Sequence, residues 1–278
     1  MKQDFRYQSF LRVYSFKDLV KQKRSNVVLL CYPDDEGVRN NHGRPGAAKG
    51  PAQILYYLGK LNSQTKAARS IAVMKEKPVG KSIALRHRWA EEKVHALLRK
   101  SYRVITLGGG HDYAFPDASA FYQIYKGKIL NIDAHLDVRS MLNSKINSGT
   151  AFSRFSEKFG GSSIVQWGIQ PQANSLELFS YAKKNKMKVL SDLDAMPRIK
   201  GKLGLSICLD AVATIRGVSA PAILGLEPRQ IVEAVAYYAK VSPWMGIYES
   251  APCYDPVNED SARLGALLIF HYLHRLEL

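Results

Sequence analysis

The chain has little cysteine: three residues in 278, Cys31, Cys208 and Cys253, odd in number and far apart. That excludes a disulfide scaffold and fits a reducing compartment. No segment approaches the roughly 18 consecutive apolar residues of a membrane-crossing helix. The longest apolar runs are short, such as 27–32. The N-terminal MKQDFRYQSFLRVYSFKDLV scatters charge among its apolar residues, so no secretory signal is expected. Repeats, low-complexity tracts and linkers are also missing, so the expectation is a single domain over 1–278, with 1–25 as a basic extension. Acidic residues are scarce beside basic ones, 24 against 40, and the net charge is +16. Such an excess permits nucleic-acid binding, attraction of an acidic small molecule, or plain solubility. The bases are spread out, with seven in 1–24 and seven in 183–202, and neither stretch carries a nucleic-acid motif. A solvated basic surface is therefore expected, on a cytoplasmic protein with neither a specific nucleic acid nor a membrane as partner.

What is present is ordinary for a globular chain: 46% hydrophobic and 23% charged residues, which excludes extensive disorder. Short β-branched or apolar runs near 26–32, 103–107, 128–132, 163–168, 187–190, 203–209 and 243–248 read as strands, with a weaker one at 70–74. Helical patterns near 51–60, 88–100, 113–125, 173–185, 228–240 and 260–275 alternate with them. Pro51 suits a first helical turn. This alternation predicts a mostly parallel eight-stranded sheet with helices on both faces. In such a sheet, ligands bind beyond the carboxyl ends of the strands.

Three strand ends carry polar clusters. Gly108-Gly109-Gly110-His111-Asp112 follows the strand at 103–107, and Asp133-Ala134-His135-Leu136-Asp137-Val138-Arg139 follows that at 128–132. The third reads Ser206-Ile207-Cys208-Leu209-Asp210. Period-2 spacing would put Asp133, His135 and Asp137 on one face of an extended segment. Carboxylates and an imidazole facing one point call for a cation, and that donor set suits Mn²⁺, Zn²⁺ or Fe²⁺. His111, Cys208 and Asp210 can add ligands from neighbouring strand ends. Singly, a Gly-rich turn before His, or a buried Cys, means little. Together, at successive strand ends, the three runs point to a metal site.

These runs resemble the GGGH(D/E), DAHxDxR and SxDxD signatures of the ureohydrolase superfamily, which holds arginase, agmatinase and formimidoylglutamase. The stretch from Asp35 to Ala47, with Asn147-Ser148-Gly149-Thr150, Gly217-Val218-Ser219-Ala220-Pro221 and the segment from Glu249 to Asp255, is most similar to formimidoylglutamase. The resemblance implies a three-layer α/β/α, arginase/deacetylase-like fold and a homo-oligomer. It also implies two Mn²⁺ ions, one held by His111, Asp133, Asp137 and residue 208, the other by Asp133, His135, Asp210 and residue 208. A metal-bound hydroxide would attack a C=N carbon, Glu249 facing the cationic C–N group and Asp137 shuttling a proton. The implied reaction is N-formimino-L-glutamate plus water to L-glutamate plus formamide. A substrate with two carboxylates asks for cations, and Arg139, Arg154 and Arg44 are candidates, with neutral donors from Asn147, Ser148 and Gly149.

The family has a bridging Asp where this chain has Cys208. If the thiol does not ligate, the trio Asp133, His135 and Asp210 suits a single ion, Zn²⁺ or Mn²⁺. Ala213 stands where arginases carry a further Asp, Ala151-Phe152-Ser153 replaces Pro-Phe-Arg, and 148–165 has no His. The alternatives to formimidoylglutamase are a guanidino-acid or agmatine hydrolase, or a metal-poor, non-catalytic relative acting as a binding protein. Elsewhere, His87, His95, His271 and His274 read as surface or packing residues, Cys31 and Cys253 as buried thiols, and Trp89, Trp167 and Trp244 as packing.

Overall fold

The apolar runs of the central strands have hydrophobic residues at both odd and even positions, so neither face can meet water. A computed structural model, describing residues 6–21, 25–63, 71–141, 145–257 and 260–277, shows what covers them. The strands are β1 (Leu11–Tyr14), β2 (Val27–Cys31), β3 (Ile71–Met74), β4 (Arg103–Leu107), β5 (Lys128–Ile132), β6 (Ile164–Ile169), β7 (Lys188–Ser191), β8 (Leu203–Cys208) and β9 (Trp244–Tyr248). They form one sheet in the order β1-β3-β2-β4-β9-β8-β5-β6-β7, with every neighbouring pair parallel.

Parallel neighbours require crossovers, and helices supply them. On one face lie α3 (Gly50–Lys60), α8 (Pro228–Tyr238) and α9 (Asp260–Glu277), packed on Leu29, Ile105, Leu205 and Ile247. The other face carries α1 (Phe16–Lys21), α4 (Ile83–Arg99), α5 (Ala114–Tyr125), α6 (Ala151–Phe159) and α7 (Leu176–Lys184), over Leu30, Val104, Ile129 and Trp244. A short helix, α2 (Glu36–Asn40), sits above the carboxyl edge of the sheet. Alternate residues of each strand thus enter separate cores, and the result is three layers. No helix among the described residues is long and apolar enough to cross a membrane.

Among the described residues the sheet has nine strands, not the expected eight. The extra one, β1, lies in the stretch read as a basic extension and pairs with β3 from Leu11↔Ile71 to Tyr14↔Met74. Its four residues have an exposed middle, Arg12 and Val13, so they carry no signal of a buried strand. Residues 1–5 and 22–24 of that stretch, and residue 70 of the weak strand, lie outside the described residues. Helix α4 begins five residues before the expected start because the Ser82 hydroxyl accepts from the Leu85 N–H and caps it. Helix α7 starts at Leu176, three residues later than expected, because Pro171–Ala173 form a separate short turn. The pattern suggested no helix at α1, α2 or α6. The first two are short, and α6 follows a tight turn at Asn147–Thr150 that hides its start.

Candidate metal centre and active site

Strands β4, β9, β8 and β5 are neighbours in the middle of the sheet. Each is followed at its carboxyl end by a candidate residue: His111 after β4, Glu249 after β9, Cys208 and Asp210 at the end of β8, and Asp133 to Asp137 after β5. Adjacent parallel ends lie one strand spacing apart, so side chains from all four reach a common point.

The approach to His111 depends on glycine. A Cβ at Gly109 would lie 1.8 Å from the Asp34 carbonyl oxygen, and one at Gly108 would lie 2.2 Å from the Tyr248 ring. The His111 N–H donates to Glu249 Oε1 (2.8 Å), and its Nε2 meets Ser206 Oγ at 2.8 Å. The serine hydroxyl therefore fixes the ring, leaving Nδ1 to face the acidic groups.

Asp133, His135 and Asp137 do converge, but not by strand alternation. β5 ends at Ile132, the His135 N–H turns back to donate to Asp133 Oδ1 (2.8 Å), and Asp137 has φ 50°. The next turns are pinned to the start of α6, with the Phe152 N–H donating to the Asp137 carbonyl and the Arg139 N–H to that of Gly149. His111 Nδ1 ends 2.9 Å from both Asp133 Oδ2 and Asp137 Oδ2. His135 Nδ1 is 3.1 Å from Asp210 Oδ2 and 3.6 Å from Asp133 Oδ1.

Two sets of ligand atoms result, each within 4.8 Å: His111, Asp133 and Cys208, and Asp133, His135 and Asp210. Asp133 belongs to both, Cys208 only to the first, and Asp137 joins through His111. The donor atoms fit divalent cations. His111 Nδ1 and Asp210 Oδ1 are buried without a hydrogen-bond partner among the described residues, although carboxylates crowd Nδ1. Buried imidazole, carboxylate and sulfur atoms that converge in this way could hold a divalent ion.

The electrostatics agree. Burial opposes charge on His111, but Asp133 and Asp137 outweigh it and raise its pKa well above the usual histidine range. Burial likewise opposes charge on His135, yet Asp210 and Asp133 push its pKa up to about 12. Burial and then Asp133 raise Asp137 to about 6, and the same two causes raise Asp210. The Cys208 thiol is pushed well above its ordinary pKa by burial and by Asp210, Asp133 and Glu249. Glu249 is pushed up to about 8 by burial, in spite of Ser219 and the His111 N–H.

The centre opens into a cavity of about 240 Å³ whose lining includes Asn41, His42, Arg139, Ser148, Asn174 and Glu249. Arg139 is exposed at its mouth and donates to Asn41 Oδ1 (3.0 Å), and Asn41 Nδ2 donates to Ser148 Oγ (3.0 Å). Asn147 and Gly149 stand behind this chain of groups: the Gly149 N–H donates to Asn147 Oδ1, and neither lines the cavity. Arg44 touches the cavity but is engaged, donating to the carbonyls of Arg216 and Val218 and stacking on Tyr254.

Arg154 is not at the cavity. It lies over the Phe115 ring (3.8 Å) and donates to His87 Nδ1, whose Nε2 pairs with Asp112 Oδ2 (2.7 Å). His87 is therefore buried rather than on the surface, and burial lowers its pKa. Cys253 is exposed rather than buried. Trp167 and Trp244 do pack in the cores. Sequence reasoning gave no role to Asn41 or Asn174. Asn41 lies inside the formimidoylglutamase-like stretch, whereas no motif marks Asn174.

Fold and site together define a class: a three-layer α/β protein with metal-ligand groups gathered at central strand ends. The chain belongs to the arginase family, whose model matches residues 25–274. It is 30% identical to a formimidoylglutamase of Staphylococcus aureus over 287 residues, which cover 93% of this chain and 90% of the relative. A formimidoylglutamase of Staphylococcus haemolyticus is also 30% identical, over 90% of this chain and 86% of its own. Among solved structures, Trypanosoma cruzi formiminoglutamase with Mn²⁺ superposes with a TM-score of 0.84 at 23% identity, covering 99% of both chains. Bacillus subtilis formimidoylglutamase gives 0.84 at 18% identity, covering 100% of this chain and 94% of that one. These superpositions establish the fold.

Proposed function

We propose that this chain is a metal-dependent hydrolase of linear amidines that converts N-formimino-L-glutamate and water to L-glutamate and formamide. One observation carries the reading: the paired ligand groups open into a small cavity with Glu249 at its floor and Arg139, Asn41 and Ser148 at its mouth. An amidine with an acidic tail matches that polarity end for end. The curated relatives named formimidoylglutamase support the choice of substrate, and the solved relative with Mn²⁺ supports that ion. Divalent ions held by His111, Asp133, His135, Asp137, Cys208 and Asp210 would supply an acidified water and stabilise developing charge.

The chain's own groups do the rest. Glu249 Oε1 is held by the His111 N–H, and Oε2 is buried without a hydrogen-bond partner among the described residues. Oε2 can accept from the N–H of the formimino group and orient its carbon. Asp137, adjoining His111, can take a proton and pass it to the departing amine of glutamate. Arg139 would make a two-pronged contact with a substrate carboxylate, and Asn41, itself anchored on Ser148, holds that guanidinium in place. The free thiols of Cys31, Cys208 and Cys253 support a reducing, cytoplasmic setting, and family likeness supports a homo-oligomer.

The test is glutamate release from N-formimino-L-glutamate by purified protein pre-incubated with Mn²⁺, with arginine, agmatine and guanidinobutyrate alongside. Metal-dependent turnover of the formimino compound alone is expected. Arg139→Ala should raise KM on the order of tenfold or more, as loss of a charge-assisted carboxylate contact requires. Faster turnover of a guanidino compound, or an unchanged KM in Arg139→Ala, would refute the substrate assignment.

A further inference from the structure

Cys208 closes β8 fully buried, yet its neighbours are not hydrocarbon. Its sulfur lies within 4.8 Å of the ligand atoms of His111 and Asp133, and it lines the cavity beside Asp210 and Glu249. A residue there only to fill space has no need of sulfur, and a thiol set against an imidazole and a carboxylate stands where a cation can replace its proton. The two ligand sets also differ in kind. One offers imidazole, carboxylate and sulfur from His111, Asp133 and Cys208. The other offers only carboxylate and imidazole, from Asp133, His135 and Asp210. Within the first set, His111 Nδ1 faces the carboxylates of Asp133 and Asp137 at 2.9 Å, and Ser206 holds the opposite ring nitrogen.

We infer that Cys208 is a thiolate ligand that makes the His111 half of the centre selective for a borderline-soft ion of the Zn²⁺ type, while the His135 half keeps the Mn²⁺ preference of an oxygen-and-imidazole site. Donor chemistry supplies the reason: thiolate favours Zn²⁺ and Co²⁺, and carboxylate suits Mn²⁺. Three protein ligands, one from each of three strand ends, also match the ligand count of catalytic zinc sites. Binding breaks the S–H bond, forms the sulfur–metal bond and releases the proton to solvent, with no change of oxidation state. The inference rests on the metal-centre part of the functional reading and not on the substrate.

The test uses the full chain, stripped of metal and titrated with Co²⁺, beside Cys208→Ser and Cys208→Asp. Wild type should show a near-ultraviolet thiolate-to-cobalt charge-transfer band that both variants lose. Loaded with Zn²⁺ under excess Mn²⁺, wild type should retain Zn²⁺ by elemental mass spectrometry, and Cys208→Asp should shift toward Mn²⁺. Should the variants not fold, the wild-type band decides by itself. Bound Co²⁺ without the band, or equal Zn²⁺-to-Mn²⁺ ratios in wild type and Cys208→Asp, would overturn the inference and leave the hydrolase reading standing. No Co²⁺ uptake by folded wild type would overturn both.

Discussion

His42, Asp137 and Glu249 line one cavity, and all three have left-handed backbones, with φ of 59°, 50° and 66°. A side chain there costs about 1–3 kcal/mol, so the surrounding contacts must hold it. For Asp137 and Glu249, which motifs do mark, a backbone twist aims the carboxyl group at the candidate metal centre. No motif in the sequence announces that twist. A residue hidden from sequence reasoning is Asp117 of α5, which accepts from the Tyr32 and Tyr248 hydroxyls at 2.8 and 2.6 Å. Burial raises its pKa from 3.8 to about 7, although Tyr248, Thr106 and Tyr32 pull it down. The folded state thus binds a proton that the unfolded state has lost, so this group's stability contribution is complete below pH 3.8 and falls as pH rises to about 7. The loss is on the order of 4 kcal/mol, at about 1.4 kcal/mol per pKa unit. Asp117→Asn carries no such titration. The stability difference between wild type and Asp117→Asn should therefore move against wild type across that window in denaturant melts. A constant difference would mean that Asp117 titrates alike in both states.

The turn between β4 and α5 is the element on which the site depends most. Its Gly108-Gly109-Gly110 run is plain in the sequence, but what it approaches is not. Asp34, whose carbonyl blocks any Cβ at Gly109, lies 75 residues earlier in the chain (109 − 34 = 75). Gly109→Ala should shift the backbone that carries His111, lowering the thermal midpoint and metal affinity together. An alanine variant with both unchanged would show that the turn has slack. The same contrast divides the other elements. The strands buried on both faces were legible because their apolar runs are continuous. The edge strand β1 and the short helix α6 were not, since β1 exposes its middle and α6 is set by long-range hydrogen bonds to Asp137 and Arg139. Arg154, on α6, is a candidate in the sequence for pairing with a substrate carboxylate. The helix instead turns it toward His87 and Phe115.

Over the whole molecule, a net charge of +16 surrounds a centre built of carboxylates, with Arg139 at the cavity mouth. The proposed substrate, with two carboxylates against one amidinium, is net anionic and should be drawn in by that field, and salt should weaken the attraction. KM for N-formimino-L-glutamate should rise several-fold as the Debye length shrinks from about 30 Å at 0.01 M salt to about 8 Å at 0.15 M, with kcat steady. A KM indifferent to salt would reduce the charge to a matter of solubility. The sequence by itself determined the parallel three-layer architecture, the residues offered as ligands and the family, because these depend on local periodicity and on motifs read within a few residues. The tertiary structure alone decided that β4, β9, β8 and β5 would be neighbours, that Cys208 would join one ligand set and not the other, and that Arg139 rather than Arg154 would face the cavity. Those outcomes depend on strand order and backbone twist, which bring together residues far apart in the chain, such as His111 and Glu249, 138 positions apart.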